Sequence, residues 1–157
     1  MCVVIDINTL ASVFSTESAK HAEFSPVKKW IEEGRGFVVY GGSRYKAELA
    51  KTFRYLRLIR QMRDGGQAIS IRDAAVDAFE EDVREKTQGT PCNDQHVIAL
   101  LGAARCLLLC SGDARSFKFV KNRRLYPKDM PRVRVYSSSR NANLLVPMTK
   151  CFLTNVE

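Results

Sequence analysis

The chain lacks any apolar run near the roughly 20 residues that a membrane-spanning helix needs, so no membrane partner is predicted. Its amino-terminus has neither the positive region nor the cleavage site of a secretory signal, and residues 2–5 instead read as a strand that begins at once. The five cysteines show no CxxC pair and no Cys/His spacing of a metal site. Cys106 and Cys110 flank one apolar run, where free cysteines are usually small core residues. A reducing compartment is therefore expected, which places the protein in the cytoplasm.

Low-complexity segments, internal repeats and linkers are also missing. The 157 residues are 45% hydrophobic, which is enough to build one core, so residues 1–157 are predicted to form a single domain. Residues 138–157 are a C-terminal extension that does not fit the pattern of the rest. The runs 144–146 and 151–153 are too apolar for a free tail and are expected to pack on a sheet edge or on a partner.

What the chain has in excess is positive charge. Its formal net charge is +8 and its pI is near 9.4. A basic surface attracts polyanions through salt-dependent contacts that do not read sequence, so a nucleic acid is the predicted partner. The basic residues concentrate in the predicted helix after residue 43 and in the segment after residue 113.

Short apolar runs alternate with amphipathic segments along the chain. Five strands are predicted, at residues 2–5, 37–40, 68–71, 106–110 and 133–136. One helix is predicted to start at Ser25 and Pro26. Another is predicted to run without a break from Ser43 to about Arg63, with Phe53 on its inward side. This alternation is the pattern of a parallel α/β sheet with helices on both faces.

Four acidic residues stand at the edges of these apolar runs. Asp6 and Asp113 follow predicted strands, Glu48 lies early in the helix after the second strand, and Asp94 opens the run 97–101. The carboxyl ends of parallel strands meet at one crevice, where ligands bind in open α/β sheets. Carboxylates gathered there repel each other unless a hard cation lies between them, and such oxygen clusters suit Mg²⁺ or Mn²⁺. On a basic protein, this predicts metal-dependent chemistry on phosphates.

The same acids belong to motifs that occur in a particular order. These are 3–10 (VVIDINTL), Glu48 on the helix after strand two, 93–100 (NDQHVIAL) followed by 103–109 (AARCLLL), and 111–113 (SGD). In this order, residues 1 to about 136 resemble the PIN-domain nucleases, a family that includes toxin subunits of bacterial toxin–antitoxin pairs. Each motif is short, and it is their order and the elements between them that make the resemblance specific.

The resemblance implies a three-layer α/β/α sandwich with a mostly parallel sheet of about five strands. It also implies hydrolysis of RNA phosphodiester bonds with Mg²⁺ or Mn²⁺, and the possibility of an antitoxin partner and of a homodimer. Two features depart from the family pattern. Asn8 stands where a small or hydroxyl residue is often found, and it is expected to support Asp6. The C-terminal extension lies outside the shared core, so no role carries over to it.

Roles can be assigned to the candidate residues from the chemistry of phosphodiester hydrolysis. Asp6 and Asp94 are predicted to bind the metal directly, and Glu48 and Asp113 directly or through water, because Mg²⁺ keeps several waters. A bound ion supplies a hydroxide near neutral pH and neutralises charge on the phosphate. The residues predicted to orient carboxylates or water are Asn8, Thr9 and Ser111. Those predicted to hold the substrate phosphates are Arg44, Lys46 and Lys51.

Each acid also has a purely structural interpretation. Asp94 and Asp113 are both suited to cap a helix, and Glu48 has the helical spacing to pair with Arg44 or Lys51. Asp6 has the weakest such alternative, because a carboxylate directly after four buried strand residues is costly unless something binds it. His96 lies about 200° around the helix from Asp94 and is therefore predicted to be a structural or rim histidine without a catalytic part.

Two other functions fit part of the same pattern. A catalytically weak or inactive PIN-like module would bind RNA or protein without cleavage and without metal. A phospho-accepting receiver domain also uses an acidic strand end, but it needs an acidic pair before that aspartate, and residues 1–5 contain no acid.

Overall fold

The computed structural model describes residues 1–147 and 152–157, and it contains the predicted parallel sheet. Five strands pair in the order β3-β2-β1-β4-β5, and every pair is parallel. The strands are Cys2–Ile5 (β1), Phe37–Gly41 (β2), Ala68–Ile71 (β3), Leu108–Cys110 (β4) and Arg134–Tyr136 (β5). Helices flank the sheet, which makes a three-layer α/β/α sandwich and confirms the predicted fold class.

The helices fill the crossovers between the strands. They are Leu10–Phe14 (α1), His21–Glu32 (α2), Ser43–Ala50 (α3), Phe53–Asp64 (α4), Asp73–Lys86 (α5), Gln95–Ala104 (α6) and Phe117–Val120 (α7). Three short 3₁₀ turns accompany them, at Ile7–Thr9, Arg123–Leu125 and Ser139–Leu144. No helix in the described part of the chain is long and apolar enough to cross a membrane.

The core lies around β1 and β2, whose residues are all buried. Val4 of β1 pairs with Val39 of β2 on one side and with Leu109 of β4 on the other. A strand covered on both faces needs apolar side chains at every position, which is why these runs show no polar alternation. Cys106 and Cys110 are buried free thiols in this core, as predicted.

The predicted start of α2 was wrong. The helix begins at His21, so that Ser25 and Pro26 lie inside it. Proline has no N–H to donate to the carbonyl four residues earlier, which here belongs to Ala22. The Ser25 hydroxyl donates to that carbonyl instead, at 3.5 Å, so the helix tolerates the proline.

The predicted long helix from Ser43 to Arg63 is two helices. Thr52, between α3 and α4, has φ −113° and ψ 79°, outside the helical region. The break changes the direction of the chain, so helical periodicity does not continue through it. Phe53 is consequently 71% exposed instead of facing inward, although Ile59 and Met62 of α4 are buried as predicted.

The end of the chain packs on the edge of the sheet. The Arg72 N–H donates to the Asn155 carbonyl at 2.9 Å, and the Glu157 N–H donates to the Ser70 carbonyl at 3.0 Å. Ile71 of β3 and Val156 form an antiparallel bridge. One of the two predicted locations for residues 138–157, the sheet edge, therefore holds for 152–157.

The two apolar runs of this extension differ in their burial. Leu145 is buried, and the Val146 carbonyl accepts a hydrogen bond from Trp30 Nε1 at 2.9 Å. Phe152 is 79% exposed, and Cys151 lies outside the described residues.

Candidate functional site

The four predicted acids lie on elements that meet around the carboxyl end of β1. Asp6 directly follows β1, and Asp113 lies in the loop after the neighbouring strand β4. Glu48 is on α3, which follows the other neighbour, β2. Asp94 directly precedes α6. The sheet order thus places the acids at one edge, as the strand argument predicted.

Asp6 is half-buried and is held by neutral donors. The Ser111 hydroxyl donates to its Oδ2 at 2.9 Å, and the Asn8 N–H donates to its Oδ1 at 3.2 Å. Ser111 therefore orients a carboxylate, as expected. Asn8 also contacts Asp6, but through its backbone, while its side chain is exposed.

The loop after β4 is tied to the turn after β1. The buried Thr9 hydroxyl accepts a hydrogen bond from the Gly112 N–H at 3.1 Å, and the Ser111 hydroxyl accepts one from the Asp113 N–H at 3.1 Å. Thr9 thus positions the loop that carries Asp113, whereas the sequence predicted that it would orient a carboxylate or water. Ser111 connects Asp6 with the backbone of Asp113.

Asp113 forms an ion pair with Arg115, a residue that the sequence analysis did not assign to the site. Arg115 donates from Nε to Oδ1 at 2.9 Å and from Nη2 to Oδ2 at 2.8 Å, and its N–H also bonds to Oδ1 at 3.0 Å. These bonds lower the pKa of Asp113 below its usual value. Because α7 begins only at Phe117, Asp113 is not its capping residue. The Arg115 side chain is 91% exposed, so water can compete with Asp113 for its guanidinium.

Glu48 is brought to the cluster by α3, which is fixed to the end of β1. The buried Tyr45 hydroxyl donates to the Ile5 carbonyl at 2.6 Å. Burial, followed by the negative charge of Asp6, raises the pKa of Tyr45, so it stays a neutral donor. Glu48 Oε2 lies 3.2 Å from His96 Nε2, and Glu48 Oε1 lies 3.5 Å from Arg44 Nε. The predicted pairing with Arg44 exists, but the histidine is the closer partner.

His96 is the second residue that the sequence did not assign to the site. It is buried, and burial lowers its pKa below the usual value, which favours the neutral imidazole. A neutral ring that donates from Nε2 to Glu48 leaves Nδ1 as an acceptor. Nδ1 is buried and has no hydrogen-bond partner among the described residues. His96 was predicted to be structural, but its position makes it the residue that holds Glu48.

The Asp94 carboxylate is partly buried and lies near the other three acids. It occupies the capping position of α6, yet its side chain makes no capping hydrogen bond. Burial raises the pKa of Asp94, and the charges of Asp6, Asp113 and Glu48 raise it further. The carboxylate is thus close enough to sense the other three acids, which a helix cap alone does not require.

The residues predicted to hold phosphates are not all near the cluster. The Arg44 guanidinium lies 3.5 Å from both Glu48 and Glu80, at the edge of the cluster. Lys46 lies about 200° around α3 from Arg44. Its Nζ is 2.8 Å from Asp73 Oδ1 and 3.9 Å from Glu157 Oε2, two acids outside the cluster. Lys51 is exposed at the end of α3. Of the three, the structure brings Arg44 to the site.

An open cavity of about 400 Å³ adjoins Asp6 and Asp113. Asn8, Lys20 and Arg115 also line it, so two cationic side chains face the space beside the carboxylates. Such a cavity can admit a phosphate group between the acids and the cations. Lys20 is a further residue that the sequence pattern did not indicate.

The suitability of the cluster for a metal depends on which acids are already engaged. In residues 1–147 and 152–157, no three His, Cys, Asp or Glu side chains are arranged to hold a metal ion. Asp6 and Asp94 make no hydrogen bond or ion pair with a basic side chain in these ranges. Asp113 is bonded to Arg115, and Glu48 lies beside Arg44 and the neutral ring of His96. The oxygen donors suit Mg²⁺ or Mn²⁺, with Asp6 and Asp94 as the available pair. The other two acids would have to exchange partners to join them.

Comparisons with protein-family models, curated proteins and solved structures found no match. The resemblance to PIN-domain nucleases therefore remains a prediction from the motifs.

Proposed function

We propose that this protein is a metal-dependent endoribonuclease that hydrolyses RNA phosphodiester bonds. The observation that carries the proposal is the meeting of four carboxylates around the end of β1, where burial and like charge raise the pKa of Asp94. A divalent cation relieves such repulsion, and carboxylate oxygens are the ligands that Mg²⁺ and Mn²⁺ prefer. The positive net charge of +8 supports a polyanionic substrate.

In this proposal Asp6 and Asp94 hold the ion, and Glu48 and Asp113 join directly or through water. The ion supplies a hydroxide near neutral pH and neutralises charge at the phosphate. Ser111 keeps the Asp6 carboxylate in one orientation through its 2.9 Å hydrogen bond.

The cationic residues beside the acids have a different task. Arg115 and Lys20 line the cavity next to Asp6 and Asp113, where they can bind the phosphates that flank the cleaved bond. Arg44 is available at the opposite side of the cluster, beside Glu48. Phosphate contacts of this kind position the strand and carry no sequence information.

The resemblance to PIN-domain nucleases supports the same proposal. The five-stranded parallel sheet is the one that the resemblance implies, and the acids of its four motifs lie at one edge of that sheet. By the same resemblance, we propose a cytoplasmic protein that acts as the toxin of a toxin–antitoxin pair, with an antitoxin partner and a homodimeric state.

A second candidate is the catalytically weak or inactive PIN-like module. It is favoured by the bidentate bond from Arg115 to Asp113, and by the lack of three metal-binding groups in the described ranges. If Arg115 stays in place, one of the four acids is neutralised. Such a module binds RNA or protein without cleavage and independently of metal.

The deciding experiment is cleavage of a mixed RNA substrate in Mn²⁺, Mg²⁺ or EDTA. Wild type is compared with Asp6→Asn and Asp94→Asn, and with Asp64→Asn, which removes an exposed acid that pairs with Arg63 outside the cluster. The proposal expects cleavage by wild type and Asp64→Asn in metal, and none in EDTA or in the other two variants. Circular dichroism checks that all variants fold. Uncut RNA with wild type, or equal cleavage by all variants, would leave the inactive module as the better account.

A further inference from the structure

The excess positive charge of the chain is confined to one segment. Residues 114–147 contain nine Lys or Arg and one Asp, a surplus of eight, which equals the formal net charge of the whole chain. The rest of the chain therefore has no net charge, because acids elsewhere offset the basic helix α4. The single acid of the segment, Asp129, is itself bonded by Arg105 at 2.7 Å.

Part of this segment forms a groove at the amino-terminal edge of β4 and β5, the edge opposite the acidic cluster. The groove has a volume of about 960 Å³. Its apolar lining includes Leu107 and Val133, and its rim is formed by Lys121, Arg132 and Arg134. We call this set the basic groove. The three cations are exposed, and none of them forms an ion pair with a carboxylate in the described part of the chain.

The basic groove is connected to the acidic cluster by α7. Arg115 lies at the cluster, Lys118 is on α7, and Lys121 follows α7 at the groove. Lys118 Nζ is 4.9 Å from the centroid of the Phe119 ring, and Lys121 Nζ is 5.6 Å from that of Phe117. These cation–π contacts hold both ammonium groups along the helix. Because β4 has three residues, the two edges are about 10 Å apart along the strand.

We propose that the basic groove binds the single strand of RNA on which the acidic cluster acts, so that the strand extends from the cluster along α7 to the opposite sheet edge. This inference rests on the proposed function for the identity of the substrate as RNA. Three unpaired cations at the rim match the phosphates of a backbone. A positively charged groove that follows the backbone is one of the means by which proteins bind single strands without reading sequence. The apolar lining can contact the faces of the bases.

The test is binding of a labelled, mixed-sequence RNA of about 16 nucleotides, near the upper end of usual single-strand site sizes. Binding is measured in EDTA, so that no cleavage occurs, at several salt concentrations. The groove variant combines Lys121→Gln, Arg132→Gln and Arg134→Gln. The control variant combines Arg54→Gln, Arg57→Gln and Arg60→Gln, which removes the same charge from exposed positions of α4.

The groove variant is expected to bind roughly 10- to 100-fold more weakly than wild type at about 0.1 M salt, with a salt slope smaller by about 2, because each single-strand phosphate contact contributes about 0.7. The control is expected to change affinity by less than about threefold. Equal losses in both variants, or no binding by wild type, would overturn the inference. If the triple groove variant does not fold, Lys121→Gln and Arg132→Gln alone should each lower the slope by about 0.7.

The binding and cleavage experiments test the groove and the nuclease activity independently. Groove-dependent binding without any cleavage in Mn²⁺ would contradict the proposed nuclease activity but support the RNA-binding groove. Metal-dependent cleavage, with equal RNA binding by the groove and control variants, would support the nuclease activity but contradict the groove.

Discussion

At the residue scale, the four acids divide into two pairs with different partners. Asp113 is bonded to Arg115. Glu48 lies 3.5 Å from Arg44 and also contacts the neutral His96 ring. Asp6, in contrast, accepts hydrogen bonds from neutral donors. Asp94 makes no capping bond, and its pKa is raised first by burial and then by the negative charges around it. The acids that lack a cationic partner are the two expected to bind metal directly.

Replacing His96 tests whether Glu48 has to be held in place. His96→Leu removes the group that lies 3.2 Å from Glu48 Oε2, and His96→Gln keeps a donor there. We expect cleavage to fall about 10- to 100-fold in the leucine variant, the usual effect of losing a residue that orients a ligand, and less in the glutamine variant. A structural role alone predicts that both variants lose thermal stability but cut RNA at similar rates per folded molecule. Single-turnover cleavage and thermal melts of the same samples distinguish these results.

The raised pKa of Asp94 predicts how the stability of the folded protein depends on pH. Burial and neighbouring acids raise the pKa of Asp94 above its ordinary value of 3.8, so the folded protein holds this proton to higher pH than the unfolded chain. Where the folded state binds more protons, stability falls as pH rises. The penalty is absent below pH 3.8, grows as the pH rises from there to the folded pKa, and is complete above the folded pKa.

Asp94→Asn is therefore expected to melt a few degrees higher than wild type in EDTA at pH 7, where about 1 kcal/mol corresponds to about 2–4 °C. The difference should shrink as the pH is lowered toward 4. Asp64→Asn is the control, because Asp64 is exposed beside Arg63. A melting temperature of Asp94→Asn at or below that of wild type at pH 7 would contradict the crowding of the acids.

At the element scale, the strands could be predicted because a strand that is buried on both faces is a continuous apolar run in the sequence. Runs such as Cys2–Ile5 and Phe37–Gly41 are apolar at nearly every position. The break between α3 and α4 has no such signal, since Lys51 and Thr52 are neither glycine nor proline. Tertiary packing sets that break, and the exposure of Phe53 follows from it.

The candidate site was predictable to the extent that it depends on the sheet. The position of Asp6 beside the loop that carries Asp113 follows from adjacent parallel strands. The contact between His96 and Glu48 joins two helices, so the spacing within either helix could not reveal it. A histidine directly before the apolar run 97–101 was the one available signal.

The C-terminal segment 152–157 is an element whose removal can be tested directly. A chain that ends at residue 151 loses three backbone hydrogen bonds, from Arg72 to Asn155, from Glu157 to Ser70 and from Thr154 to Ala104. At about 1 kcal/mol net for each bond, the free energy of unfolding should fall by about 2–3 kcal/mol. The exposed edge of β3 should also promote self-association, because an unpaired edge invites another strand.

Urea denaturation and analytical ultracentrifugation measure these two effects. Phe152→Ser is the control, since a side chain that is 79% exposed should change stability by less than about 0.5 kcal/mol. If the truncated chain keeps the midpoint and the oligomeric state of wild type, the segment is neither a structural edge nor the contact surface predicted for residues 138–157.

At the scale of the whole molecule, the acidic cluster exists only in the folded chain. Its members come from the end of β1, from α3, from the start of α6 and from the loop after β4, and they span residues 6 to 113. The buried apolar residues form one continuous core beneath them. A single cooperative unfolding transition is therefore expected, and an ion bound at the cluster should stabilise the folded state as a unit.

Calorimetry with and without Mn²⁺ tests this link between the site and the fold without any RNA. A ligand that binds only the folded state stabilises it by about 2.7 kcal/mol at 100 times its dissociation constant, which should raise the melting temperature by about 5–11 °C. Asp6→Asn and Asp94→Asn should lose most of that shift because they remove the two available carboxylates, and Asp64→Asn should keep it. An equal shift in all four proteins would mean that Mn²⁺ binds elsewhere, and no shift in wild type would mean that Arg115 and His96 keep the cluster closed to metal.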